Sequence, residues 1–263
     1  MVGDVVGESG RNALSATLPT LSTLHSPDIV IVNGENASAG RGLTPHHAHQ
    51  LFQSGAHVIT LGNHAWDQKE LAGYLQNEPR ILRPANYPEG TPGRGCGIFI
   101  ADNGVKVGVV NLVGRVHMEP LEDPFRHADR ILQYFAEENV RLTFFDFHAE
   151  ATSEKQAFGY FLDGRATVVV GTHTHVQTAD EQIMHGGTAY ITDVGMTGPQ
   201  HSVIGMGLEQ VLKKFITQRP VRFDVATGPA LLNAVLVEAD PQTGKASHIE
   251  RISLRDIVEK GTS

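Results

Sequence analysis

Short β-branched and apolar runs alternate with stretches of helical periodicity along this 263-residue chain, and that alternation limits the folds open to it. The runs at residues 29–33, 58–61, 105–112, 142–147, 167–171 and 189–192 read as buried strands. Residues 11–24, 45–54, 125–138 and 154–162 carry apolar side chains at helical spacing. Thr44 followed by Pro45 supplies an N-cap and a first-turn residue whose missing N–H is not needed there. Elements in this order predict an α/β fold with a largely parallel or mixed sheet and helices on both faces. Two stretches break the pattern: residues 83–97, dense in Pro and Gly, predict a long ordered loop, and residues 114–125 predict a lid or small cap. From Leu231 onwards the strands resume, with a final hairpin turning at 241–244. No repeat, low-complexity tract or linker divides the chain, so one domain is expected over residues 1–263.

An apolar content of 40% with 19% charged residues is that of a globular protein rather than a disordered one. A formal net charge of −8 disfavours a general polyanion-binding surface, so no stable nucleic-acid complex is expected. A small phosphate substrate stays compatible, because bound divalent cations invert the field locally. Cys96 is the lone cysteine, which excludes an internal disulfide and a Cys-based zinc site and points to a reducing compartment. Residues 1–12 lack a basic segment followed by an apolar run, and no apolar stretch approaches the length of a membrane span. A cytoplasmic protein without a membrane partner is the expectation.

The chemistry lies at the strand ends. Asp4 follows Gly3; Glu35 and Asn36 follow the run ending at Asn33; Asn63 and His64 follow the run ending at Leu61. His148 follows Phe147, and His173 and His175 follow Gly171. Ligands in α/β sheets bind outside the carboxyl ends of the strands, where such residues meet. Imidazole, carboxylate and amide oxygen suit Zn, Fe or Mn. Asp4, Glu35, Asn36, Asn63, His148, His173 and His175 are too many for one tetrahedral ion and fit two ions sharing a carboxylate, with Glu35 the bridge. Such a pair would activate a water to attack phosphorus in line. His64, beside a ligand, is suited to donate a proton to the leaving oxygen. Asp67 would orient that ring, and Asp146 and Glu150, flanking His148, would accept hydrogen bonds from the ligands.

These motifs resemble a known family. Gly3-Asp4-Val5-Val6-Gly7, Asn33-Gly34-Glu35-Asn36, Gly62-Asn63-His64-Ala65-Trp66-Asp67 and Gly171-Thr172-His173-Thr174-His175 are similar to those of the YmdB-like metallophosphoesterases. So are Asp146-Phe147-His148-Ala149-Glu150-Ala151-Thr152-Ser153-Glu154-Lys155, Arg83-Pro84-Ala85-Asn86-Tyr87, Gly90-Thr91-Pro92-Gly93 and Thr192-Asp193-Val194-Gly195-Met196-Thr197-Gly198. The resemblance runs over nearly the whole chain. It departs from the commonest calcineurin-like pattern, since Asn33-Gly34-Glu35-Asn36 stands where Gly-Asp-x-x-Asp would fall and no Asp-x-His opens the chain. It implies a calcineurin-like α/β sandwich of mixed sheets flanked by helices, with a small cap. It also implies two divalent ions, iron or manganese, phosphodiesterase activity on 2′,3′-cyclic nucleotides, and a homo-oligomer. Position by position, Asp4, Glu35, Asn36 and His175 would bind one ion, Glu35, Asn63, His148 and His173 the other, and His64 would be the proton donor. Family members usually carry a full apolar strand before the first Asp. Here only Met1, Val2 and Gly3 precede it, so the start is read as truncated and a short strand with few ladder hydrogen bonds is expected.

Plainer readings stand beside these. Glu35, Asn36, Asn63 and His64 are residue types that also cap helices and shape turns. His46, His47 and His49 follow Pro45 and are read as a solvated helix face rather than a further metal site. The 90–97 loop is read as a site wall or an oligomer contact, because no Lys-Ser or Lys-Thr leads from it into a helix. Arg115 and His117 are either phosphate contacts from the cap or surface residues. The rival functions are a phosphomonoesterase or nucleotidase on the same centre, a non-catalytic regulator that keeps the fold, and an amidohydrolase. The last would carry its His-x-His pair near the N-terminus rather than at 173.

Overall fold

The computed structural model describes residues 1–258. In chain order the first elements are β1 (Asp4–Val5), α1 (Gly7–His25), β2 (Ile31–Asn33), α2 (Pro45–Gln53), β3 (Val58–Thr60), α3 (Leu71–Tyr74) and β4 (Ile81–Leu82). Then come β5 (Cys96–Ile100), β6 (Lys106–Val113), α4 (Pro124–Glu137), β7 (Leu142–His148), α5 (Thr152–Leu162) and β8 (Val168–Thr172). The last are β9 (Gln182–Ile183), β10 (Ala189–Ile191), β11 (Met196–Pro199), α6 (Leu208–Thr217), β12 (Ala230–Ala239) and β13 (Ala246–Ile257).

Two mixed sheets face each other. One has the order β5-β6-β7-β8-β10-β9, with β6, β7, β8 and β10 parallel and an antiparallel strand at each edge. The other joins parallel β2-β3-β4 to β1-β11-β12-β13 through Val2, which bridges Val32 on one side and Ala234 on the other. Alternation along the strands makes three cores. Ile31, Val107, Val109, Phe144, Val170 and Val235 fill the space between the sheets. Val32, Ile59 and Leu232 turn outwards to meet Leu14 and Leu18 of α1 and Leu51 of α2. Val110, Leu112, Phe145, Phe147 and Val169 meet Ile131 and Phe135 of α4 and Phe158 and Leu162 of α5. The expected α/β sandwich is present, each sheet covered by helices on its outer face and by its partner sheet on the inner one.

The N-terminal strand is short but not loosely held. Met1 and Val235 exchange backbone bonds, Val2 and Gly3 donate to Ile31 and Asn233, and Asp4 and Val6 donate to Gly195 and Thr197. Few ladder bonds were expected; the segment instead lies between two neighbours and is bonded on both edges, which fixes Asp4. The 114–125 segment is a strap rather than a body with its own core. Asn86 bonds Val113 on both its amide groups and Glu122 as well, Glu154 accepts from the N–H groups of Arg115 and Val116, and Asp123 caps α4.

Candidate metal centre

The two sheets bring their carboxyl ends to one pole. β1 opens with Asp4, the turn after β2 carries Glu35 and Asn36, the turn after β3 carries Asn63 and His64, β7 ends at His148, and the turn after β8 carries His173 and His175. Local chemistry sets each one. Asn33 Oδ1 accepts from the Glu35 N–H at 3.1 Å, folding the turn so that the carboxylate points inwards. Glycine is required at 62: a Cβ there would lie 2.3 Å from Glu35 Oε2 and 2.5 Å from the His148 ring. His173 and His175 adopt φ of 99° and 67°, values that cost a non-glycine residue about 1–3 kcal/mol and persist only where the surroundings impose them.

All seven candidate ligands come together. Glu35 Oε1, Asn63 Oδ1 and His173 Nδ1 each lie 3.0 Å from His148 Nε2. Asn36 Nδ2 lies 3.1 Å from both Glu35 Oε1 and His175 Nε2, and His175 Nε2 lies 3.8 Å from Asp4 Oδ1. The backbone N–H of His173 donates to Asp4 Oδ2 at 3.2 Å. Asp4, Glu35, Asn36 and His148 are buried, and Asp4 Oδ1 has no hydrogen-bond partner. Nε2 carries at most one proton, which cannot satisfy three surrounding acceptors, and an unpartnered buried carboxylate oxygen is costly. Donor atoms aimed at one another in this way fit a cation. Among the described residues, Glu35, His148 and His173 are the group whose ligand atoms all lie within 4.8 Å of one another.

The electrostatics are those of a crowded, largely buried site. Burial pushes the Asp4 carboxyl up to about 6, against the pull of His175 and His148. Burial also works to raise Glu35, but the charge and hydrogen bond of His148, with His64 beside it, take it down to about 2. The His148 ring, opposed by burial, is driven up to about 9 by Glu35, Asp4 and Asp146. Burial and the charge of His148 bring His173 down to about 3. One imidazolium thus offsets the carboxylate nearest it, a place that a divalent ion would take over on binding.

His64 stands at the edge of the cluster. Asn36 uses its amide N–H groups on Glu35 and His175, so its oxygen accepts from His64 Nδ1 at 2.8 Å. Burial lowers the ring's pKa while Glu35 and then Asp67 raise it. Asp67 is exposed and contributes charge, whereas Asn36 makes the hydrogen bond to the ring. Asp146 reaches His148 through Thr172, whose hydroxyl donates to Asp146 at 2.7 Å and meets His148 Nδ1 at 2.9 Å. Glu150 lies 3.0 Å from His173 Nε2. Tyr87, from the 83–97 loop, packs edge-to-face on Trp66 and feels the charge of Glu35, which puts its ring beside the site. Arg115 pairs with Asp123 inside the strap, and His47 bonds Ser38 rather than a neighbouring histidine.

Several functional supports escape sequence reasoning. Thr60, Thr172 and Asn33 all donate to the buried Asp146, and Ile204 O accepts from His175 Nδ1 at 2.8 Å. Lys155 and Asp193 form a buried ion pair behind the 172–175 turn. The only signal for this pair was its place inside the two motif blocks.

The family model described as YmdB-like protein matches residues 1–252. The chain belongs to the YmdB-like family. A Bacillus subtilis relative named 2′,3′-cyclic-nucleotide 2′-phosphodiesterase is 51% identical over 97% of this chain and 96% of its own length. Two solved structures superpose closely. A hypothetical protein from Thermus thermophilus is 42% identical with a TM-score of 0.91, covering 97% of this chain and 98% of that one. A novel phosphatase from Mycoplasma pneumoniae is 38% identical with a TM-score of 0.91, covering 97% and 92%.

Proposed function

We propose that the chain is a dinuclear metal-dependent phosphodiesterase acting on small phosphodiesters, 2′,3′-cyclic nucleotides in particular, with His64 as general acid. The observation that carries the reading is the convergence of Glu35, Asn63 and His173 on His148 Nε2 beside the unpartnered Asp4 oxygen. The contacts fall into two groups sharing Glu35. Asp4, Asn36 and His175 would hold one ion with it, and Asn63, His148 and His173 the other. The Bacillus relative's name supports the substrate class.

Bound there, the ions would supply Lewis acidity towards phosphoryl oxygens and an activated water. The side chains do the rest. Glu35 stays ionised near neutral pH because its carboxyl is held down to about 2. Asn36 fixes the proton of His64 on Nδ1, which leaves Nε2 to carry and release a second one. In hydrolysis the water oxygen forms the new bond to phosphorus, the bond to the ribose oxygen breaks, and that oxygen takes its proton from His64 Nε2. The Trp66–Tyr87 pair borders the site on the side of Glu35.

His, carboxylate and amide donors without thiolate favour iron or manganese, with zinc a further option. The lone Cys96 fits a cytoplasmic setting, and no helix of the described residues is long and apolar enough to cross a membrane. A homo-oligomer is supported by α6, where Leu212, Phe215 and Ile216 lie 55%, 70% and 79% exposed on one stripe. The name of the Mycoplasma structure, a phosphatase, favours monoester hydrolysis as the second reading.

The test offers 2′,3′-cyclic AMP and the corresponding monoester to the purified protein. Expected is hydrolysis of the cyclic ester, abolished by chelation, restored by iron or manganese, and roughly 1,000-fold slower in His148→Ala. Turnover that survives both Glu35→Ala and His148→Ala overturns the assignment. Preference for the monoester selects the second reading.

A further inference from the structure

Behind the cluster lies a pair of charges that the proposed chemistry leaves unused. Lys155, on α5, is 1% exposed and Asp193, after β10, is 0% exposed, with Nζ 2.6 Å from Oδ2. We propose that Lys155 and Asp193 are positioning residues that set the 172–175 turn, aim His173 and His175, and lock both to the strand of Asp4. The inference rests on the reading of those three residues as metal ligands.

The pair grips the turn at two points. Lys155 Nζ donates to Thr172 O at 2.8 Å, immediately before His173. Asp193 Oδ2 accepts from the N–H of Thr174 at 3.1 Å and from its hydroxyl at 2.8 Å, between the two histidines. The other carboxylate oxygen accepts from Gly195 N–H at 2.8 Å, and Gly195 O accepts from Asp4 N–H at 3.0 Å. One carboxylate therefore links the histidine turn, the chain leading into β11 and the N-terminal strand. The left-handed φ of His173 and His175 is not what their residue types choose, so neighbouring bonds must impose it. Gly171 makes room for the arrangement, since a Cβ there would meet Thr192 O at 1.8 Å and the Lys155 stem at 3.1 Å.

A stabilising role alone explains this poorly. Removing two charges from water offsets most of their attraction, and buried ion pairs are often replaceable by apolar side chains without loss of stability. What an apolar pair cannot do is hold Thr172 O, two groups of Thr174 and Gly195 N–H in one geometry.

The test is metal affinity, read by competition with a chelator, together with thermal stability. Thr174→Val keeps the ion pair and removes one hold on the turn; its metal affinity should fall about tenfold with little change in melting temperature. Lys155→Met/Asp193→Leu should fall further, towards about 100-fold. Phe135→Leu, in the distant α4 core, should lower stability without moving metal affinity. Affinity in Thr174→Val within about twofold of the wild type overturns the proposal, whether or not the double variant folds. A wild-type protein that binds no metal instead overturns the reading on which the proposal rests.

Discussion

The two poles of the sandwich are built from the same strands yet are packed in opposite ways. At the carboxyl ends, Asp4, Glu35, Asn36 and His148 are buried with donor atoms crowded at about 3 Å, and glycines such as Gly62 leave no room for a methyl group. At the amino ends, Val30, Val107, Leu142, Phe144, Val168 and Val237 line a half-open apolar cavity of about 340 Å³ between the sheets. The site pole is over-determined and polar; the other is under-filled and apolar. Packing that is tight around the candidate ligands and slack at the opposite pole leaves the strand centres and helices to supply the stability.

The largest effect that would break this contrast is expected at Gly62. Gly62→Ala forces Glu35 and the His148 ring apart, and turnover should fall about 100-fold while the melting temperature changes little; near-normal turnover would mean the site pole has slack after all. A smaller effect of opposite sign is expected at the other pole. Val168→Ile adds a methyl group to the cavity wall and should raise unfolding free energy by about 0.8 kcal/mol with unchanged turnover, as measured by denaturant melts. Destabilisation there would show that the cavity is already filled by relaxation.

The smallest effect concerns the rim of the site pole. Burial, then the charges of Arg11 and His46, bring His47 down to about 4 from the ordinary 6.5. Its folded pKa is the lower one, so its contribution to stability is complete above pH 6.5 and is lost as pH falls towards about 4. His47→Gln should flatten that part of the stability profile between those limits, read by thermal melts at several pH values. An unchanged profile would assign the acid sensitivity to the site carboxylates and histidines instead.

Much of this molecule is legible in its sequence, for local reasons. Thr44 caps α2 through a bond from the His47 N–H with Pro45 at the first position, as the dipeptide predicts. The 241–244 turn joins β12 to β13, and the four helical patterns appear as α1, α2, α4 and α5 within a few residues of their expected bounds. Other elements exist through pairing alone. β11 is the segment Met-Thr-Gly-Pro, a poor strand former by composition, extended because β1 and β12 flank it. β5 emerges from the end of a loop rich in Pro and Gly because β6 offers it a free edge. α6 buries only Val211 and turns its apolar stripe outwards, so little of the core holds it in place.

By itself, then, the sequence determined the alternation of strands and helices, the polar residues at the strand ends and the glycines that let them approach. Those are properties of neighbours in the chain, governed by side-chain period and backbone freedom. Only the tertiary structure decided that the second sheet covers the first, that β1 is held on both edges, and that Asn36 rather than Asp67 hydrogen-bonds His64. It alone decided that Lys155 turns inwards to meet Asp193, because a partner 38 residues away is chosen by packing, not by spacing.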